Sequence, residues 1–312
     1  MSQTKRLLFI GRPDDRSSYD TPGSMATRMA ESGSGQIAYD SCTIEDLIFI
    51  FDGQKLMIIF DKDRSLTDYD GIFLLGWFKY AIHEDMALAV ARYAEAKNIP
   101  LLNTEALFLR SRSKLSQYVI GALNDIKMTS FIVAPRGAPN NISSLMRQAG
   151  LGFPLIVKGV SASRGNDNYL VRSSAELQDV YQKSPEVTFV IQKFIPNDGD
   201  YRLLVMGDRV RVALHRQAQG DSHLNNTSQG GEAKLADLRD LNPAMLADSV
   251  KIAQLLRRPV TGVDMIVDNQ TGEYYFLEAN NMPQLSTGSL VPEKMRALDS
   301  YFCEWLADRR NH

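Results

Sequence analysis

Cysteine and histidine are scarce here, 2 and 4 in 312 residues. Cys42 and Cys303 have no metal-ligand spacing, so neither a zinc site nor a disulfide framework is indicated. No Cys–His or Ser–His constellation supplies an activated nucleophile. No apolar run approaches the roughly 20 residues of a membrane span. The opening MSQTKRLLFIGRPDD has a short apolar run followed at once by charged turn residues, which reads as a first β-strand and not a signal peptide; a cytoplasmic protein is expected. A dominant charge sign is missing too. Lys and Arg number 35 against 37 Asp and Glu, a formal net charge of −2, so nothing electrostatic points to a nucleic-acid or membrane partner. No GxGxxG follows the first strand, which argues against a dinucleotide-binding domain. Internal repeats and low-complexity tracts are absent as well.

What is present is an ordinary globular composition, 44% hydrophobic and 23% charged, with length for two or three domains. Over the first hundred residues, strands alternate with helices. Strands are expected at Lys5–Ile10, Leu47–Phe51, Lys55–Phe60, Ile72–Leu75 and Ile99–Leu102, and helices at Ser24–Glu31 and His83–Lys97. This pattern predicts a small, mostly parallel α/β domain. Then come a helix over Ser111–Leu123, strands at Met128–Ala134 and Phe153–Lys158, and a small-residue loop, Gly159–Asn168. A lysine-ended strand before such a loop suits a lid over a polyphosphate, with backbone N–H groups and the lysine facing phosphate oxygens. Further on, Thr188–Ile195 is a strand, Asp200–Gln217 a hairpin turned at Gly207–Asp208, Gly220–Gly231 a long polar loop, and Asn242–Leu256 and Pro292–Arg309 helices.

The stretch Gly262–Pro283, GVDMIVDNQTGEYYFLEANNMP, reads as a β-hairpin. Side chains alternate along a strand, so Glu278 and Asn280 share a face. A five-residue turn, Asn269–Glu273, places Asp264 opposite Glu278, with Cβ atoms about 5 Å apart. Two carboxylates that close repel unless a cation lies between them. Oxygen ligands of this kind suit Mg²⁺, which is held by one or two carboxylates together with substrate phosphates.

The order of these pieces resembles the ATP-grasp superfamily, nearest its ribosomal-protein glutamate ligase and glutathione synthetase branch. The matching pieces are Lys114 in SRSKLSQ, PLIVK ending at Lys158, IQKFI, DYR, the LHR strand end, an Asn-rich loop closed by GG, GVD, and LEANNMP. The resemblance implies an α/β ATP-grasp fold: a Rossmann-like pre-ATP-grasp domain over 1–108, a central lid subdomain over 109–192, and a C-terminal antiparallel-sheet subdomain with the metal site over 193–312. It also implies roles. Lys114 and Lys158 contact ATP phosphates, with Ser163 and Gly165 in the lid loop. Gln192, Lys193, Phe194 and Ile195 frame the adenine, and Asp200 sits near the ribose. Asp264, Glu278 and Asn280 hold one or two Mg²⁺ (or Mn²⁺) ions. Arg216 and Arg202 stabilise charge on the transferring phosphoryl group, and Asn225 lines the reaction centre. The implied reaction is carboxylate–amine ligation: a substrate carboxylate takes the γ-phosphate as an acyl-phosphate, and an amine of a peptide, protein or amino acid displaces phosphate. A homodimer or homotetramer is implied as well.

Departures from the family pattern fall at the lid, where Ala162 and Asp167 stand at positions commonly glycine, and near Asn225, where His223 replaces a common arginine. They bear on substrate identity. Lys79 and Arg12 are further candidates for substrate contact, whereas His83 and His215 read as structural. The alternative reading is a small-molecule kinase or a non-catalytic nucleotide-binding regulatory protein on the same fold.

Overall fold

The structure is a computed structural model that describes residues 4–13, 20–61, 63–75, 80–103, 113–134, 142–160, 167–217 and 232–308. In chain order the elements are β1 (Lys5–Gly11), α1 (Pro22–Ser32), β2 (Ile37–Thr43), β3 (Ile48–Phe51), β4 (Leu56–Phe60), β5 (Arg64–Ser65), β6 (Gly71–Leu74), α2 (Ala81–Ala96), β7 (Leu101–Leu102), α3 (Lys114–Leu123), β8 (Phe131–Ala134) and α4 (Ile142–Gln148). The chain continues with β9 (Leu155–Gly159), β10 (Asn168–Val171), α5 (Ser174–Lys183), β11 (Phe189–Lys193), β12 (Asp200–Met206), β13 (Arg209–Gln217), β14 (Glu232–Ala236), α6 (Pro243–Leu255), β15 (Val260–Val267), β16 (Tyr274–Asn280) and α7 (Val291–Ala307).

The first sheet is parallel, in the order β2-β1-β6-β7, as alternating strands and helices predict. Its β2 is not anticipated by the sequence. IAYDSCT mixes polar and apolar residues without a clean period, and its Asp40 is engaged by Arg6 and Arg64, each at 3.0 Å. A small antiparallel sheet, β3-β4-β5, follows β2. A four-stranded antiparallel sheet, β10-β9-β11-β8, occupies the middle of the chain, and a five-stranded one, β14-β13-β12-β15-β16, the C-terminal part.

The C-terminal helix returns to the start. Met295, Leu298, Phe302 and Trp305 of α7 join one core with Leu7, Phe9 and Phe73 of the first sheet and Leu204 and Met206 of β12. The Phe302 ring lies 6.0 Å from that of Phe9 and 5.8 Å from that of Phe73. Burial of one such ring stabilises by about 1.5–3 kcal/mol. A polar tie reinforces the contact. The buried Asp20 carboxylate accepts from the backbone N–H groups of Leu285 and Ser286, at 2.7 and 2.8 Å, in the loop before α7. The opposite face of the five-stranded sheet packs Leu203, Val263, Met265, Phe276 and Ala279 against α6 and α3. No helix among the described residues is long and apolar enough to cross a membrane.

Candidate active site

Registers of the five-stranded sheet put six functional groups on one face. Asp200 pairs with Arg216, Arg202 with Asp264, Asp264 with Glu278, and Gly262 with Asn280. Period-two alternation then aims Asp200, Arg202, Arg216, Asp264, Glu278 and Asn280 at a common space. The same face is apolar further along β12, where Leu204 and Met206 meet α7. One strand thus serves the core at one end and the site at the other.

Asp264 faces Glu278 for a different reason from the one expected. Asp268 closes a longer turn: its Oδ1 accepts from Gln270 N–H at 2.9 Å, and Gly272, with φ +75°, donates its N–H to Asp268 O at 2.8 Å. The ladder leaves this turn as Val267↔Tyr274 and Met265↔Phe276, one residue out of the expected register. A bulge between Asp264 and Met265 absorbs Leu277 and restores Asp264↔Glu278. It also lets Phe276 and Ala279 both face the core while Glu278 and Asn280 face the site. Gly262 completes the geometry, because a Cβ there would stand 2.5 Å from the Pro283 side chain and 3.4 Å from Arg202.

The ionic network is buried. Arg202 forks onto Asp264 with Nε and Nη2 each at 2.8 Å. Arg216 forks onto Asp200 at 2.7 and 2.8 Å and reaches Asp264 Oδ2 at 3.0 Å. Burial opposes ionisation of Asp264, but the two guanidiniums outweigh it and hold its carboxyl below the usual carboxylate value. Asp200 goes the other way: burial and the neighbouring Asp264 charge outweigh its pair with Arg216 and push its carboxyl up. For Arg216 burial disfavours the charge, yet Asp264 and Asp200 hold the guanidinium firmly protonated.

Glu278 stays accessible, with 31% of its side chain exposed. Asn280 Nδ2 donates to Glu278 Oε1 at 3.4 Å and to Asp264 Oδ2 at 3.2 Å, which brings three oxygen-bearing side chains together. Among the described residues no three His, Cys, Asp or Glu side chains are placed so that they alone could hold a metal ion. Two carboxylates and an amide form a hard-oxygen set that suits a cation sharing its shell with phosphates or water. Lys114 Nζ stands 3.6 Å from Glu278 Oε2. Lys158, at the end of β9, is brought to the same place: burial lowers its ammonium pKa, Lys114 lowers it further, and Glu278, Asp200 and Asp264 oppose the fall. Beside Arg202 and Arg216 lies a pocket of about 10 Å³, room for one water-sized group, lined also by Pro283, Gln284, Thr287 and Lys294.

The sequence-predicted residues therefore divide. Lys114, Lys158, Arg202, Arg216, Asp264, Glu278 and Asn280 converge. Asp200 also faces the site, where both its oxygens accept from Arg216 and brace the guanidinium. Gln192 is buried, its Nε2 donating to Thr129 Oγ1 at 3.2 Å and its Oε1 standing 3.2 Å from Tyr118 Oη, whose hydrogen is shared with Leu277 O at 2.9 Å. Lys193 is exposed, Phe194 half-buried and Ile195 buried, along the strand end after Gln192. Ser163, Gly165, Asn225, Lys79 and His223 lie outside the described residues. Arg12 follows β1, half-buried. Arg211 pairs with Glu304, outside this site. His83 meets Glu45 and His215 stacks on Tyr201, both away from the ionic network. Two residues were missed from sequence. Lys294 is buried and donates from Nζ to the backbone oxygens of Gln284 and Thr287. Its signal was a lysine on the apolar stripe of α7 beside Met295 and Leu298. Gln117 is buried on α3, and nothing in the sequence marked it.

Residues 111–292 match a family model described as the RimK-like ATP-grasp domain. The chain is 30% identical over 203 residues to "Probable alpha-L-glutamate ligase 2" of Hahella chejuensis, covering 63% of this chain and 64% of that protein. It thus spans a little under two thirds of the length of that relative. Among solved structures it resembles the ATP-grasp ligase PsnB complexed with minimal precursor, Mg and ADP, at a TM-score of 0.67 and 14% identity over 96% of both chains. D-alanine–D-alanine ligase from Bacillus anthracis complexed with ATP superposes at 0.62, with 18% identity over 96% of both chains. These likenesses establish the ATP-grasp fold.

Proposed function

Because the chain belongs to the RimK-like ATP-grasp family, we propose that it is an ATP- and Mg²⁺-dependent carboxylate–amine ligase acting on a peptide, protein or amino acid. The observation that carries this reading is the convergence of Lys114 and Lys158 on Glu278, beside the arginines that hold Asp264. Phosphoryl transfer asks for positioning and for cations where negative charge accumulates, and little covalent work from the protein. The two lysines supply charge for ATP phosphates. Arg216, fixed by Asp200, is poised for the oxygens of the transferring group, with Arg202 beside it. Glu278 and Asn280 are the accessible oxygen ligands for Mg²⁺, and Asp264 completes the set from within its arginine pair. Mg²⁺, when bound there, neutralises phosphate charge. The substrate carboxylate attacks the γ-phosphate, ADP leaves, and the amine displaces phosphate from the acyl-phosphate to form an amide. No protein nucleophile is needed. The strand end at Lys193–Ile195 is our proposed adenine edge. We take 1–108, 109–192 and 193–312 as the functional units, a homodimer or homotetramer as the assembly, and the cytoplasm as the location.

The test is ADP and phosphate release with Mg²⁺-ATP across amino acids, short peptides and mixed pairs. Release that requires both a carboxylate and an amine supports the ligase. ADP formation on a hydroxyl acceptor, without free phosphate, replaces it with a kinase.

A further inference from the structure

β16 is the edge of the five-stranded sheet, so among the described residues no strand pairs its outer side at Glu278. Helix α3 takes that place. Gln117 Nε2 donates to Ala279 O at 3.2 Å, and Ala279 N–H donates to Gln117 Oε1 at 2.8 Å. A single side-chain amide thus stands in for the peptide of a missing strand, in both directions. Next to it Tyr118 Oη donates to Leu277 O at 2.9 Å. The backbone is therefore gripped on both sides of Glu278, at the bulge where the ladder shifts. Ala279 O also accepts from Arg258 Nη1 at 2.9 Å, whereas the Ala279 N–H is held by Gln117 Oε1. The same helix carries Lys114, and its first N–H donates to Val160 O at 3.3 Å, two residues past Lys158.

We propose that Gln117 is a positioning residue for Glu278, fixing the bulged β16 backbone so that the Glu278 carboxylate meets the cation and Lys114 in one geometry. A carboxylate beside a bulge on an edge strand has a ladder on one side only, that of β15, and an error of about 1 Å in a supporting shell is enough to disable a site. The proposal rests on the reading that Glu278 is a metal ligand. It goes beyond that reading by giving α3 a share in the ligand's aim, on the side of β16 away from β15.

Mn²⁺ titration in the presence of ATP, followed by electron paramagnetic resonance, tests it without recourse to turnover. Gln117→Met removes both bonds at similar length. Its Mn²⁺ affinity is expected to fall about 10- to 100-fold, the usual effect of losing an outer-shell partner, while ATP binding without metal stays as in the native chain. Gln117→Glu keeps the acceptor for Ala279 N–H and is expected to recover most of the loss. It also carries the test should Gln117→Met fail to fold. Equal Mn²⁺ affinity in the native chain and both variants overturns the proposal. Equal weakening of metal-free and metal-dependent ATP binding also overturns it, since that marks a general structural role. Absence of metal-dependent nucleotide binding in the native chain overturns the Glu278 reading itself, and the proposal falls with it.

Discussion

Arg216 and Asp264 stand on strands separated by β12, yet Arg216 Nη2 lies 3.0 Å from Asp264 Oδ2. The guanidinium spans the intervening strand by forking onto Asp200 on the way. One cation thereby serves two buried carboxylates, and Arg202 supplies the second cation to Asp264.

Arg216→Ala should therefore damage stability and activity together. It leaves Asp200 buried without its ion partner, and breaking a buried pair from one side costs about 3–5 kcal/mol. Urea unfolding is the measurement. Arg216→Lys is expected to recover part of the stability and little of the turnover, because a point charge cannot hold Asp200 bidentately and reach Asp264 as well.

Glu278→Gln should separate the two effects. Glu278 is partly exposed, and the buried Lys158 that loses it as a counter-charge keeps Asp200 and Asp264, so the stability loss is small beside that of a buried pair broken from one side. The melting temperature is expected to stay within a few degrees of the native chain, while turnover falls about 100-fold or more for loss of transition-state charge stabilisation. Asp264→Asn should lose both, since Arg202 and Arg216 then share no second carboxylate. Parallel thermal melts and ADP-release rates check this. Equal destabilisation by the two substitutions would count against a functional role for Glu278.

How far the sequence carried this reading differs from residue to residue. Gly262 to Pro283 exposed the hairpin and the Asp264–Glu278 pairing, because turn residues and strand period are local signals. The bulge that produces the pairing was not legible: it depends on Phe276 and Ala279 both reaching the core under α6. Arg202 and Arg216 could be named as site residues, but their division between Asp200 and Asp264 is set by register across β12, which no local pattern encodes. The surroundings of Gln192 are not legible either, since a polar residue near a strand end looks the same in sequence whether its amide meets a ligand or, as here, Thr129. β2 was overlooked because its polar Asp40 is held by arginines from β1 and β5.

Lys294 gives the protein an alkaline signature. Burial lowers its ammonium to about 8, Arg202 lowers it further, and Asp20 and Glu293 oppose the fall. The folded chain therefore sheds this proton near pH 8, while the unfolded chain keeps it to about 10.4. Between those values the unfolded state binds more protons, so stability rises with pH, by about 1.4 kcal/mol per unit and about 3 kcal/mol across the window. The difference in unfolding free energy between the native chain and Lys294→Met should be flat below pH 8 and shift in favour of the native chain above it. Urea titrations from pH 7 to 10 measure this, and a flat difference throughout would refute it.

Gly262→Ala tests whether the approach of the Pro283 loop to β15 is required. Gly262 lies on the site face opposite Asn280, and an added Cβ would stand 2.5 Å from Pro283 Cβ, a contact that no side-chain rotation relieves. The Arg202 Cδ at 3.4 Å blocks retreat on the other side. The loop beyond Pro283 must then lift, and that loop carries the two carbonyls that hold Lys294 and the backbone N–H groups that cap Asp20. Overpacking of this kind costs about 1–3 kcal/mol. The substitution should lower stability by that amount and weaken the bond network of Asp20, seen as faster hydrogen exchange at Leu285 and Ser286. Exchange at native rates in a destabilised Gly262→Ala protein would show that the strain is absorbed within β15 and that the loop is positioned by other contacts.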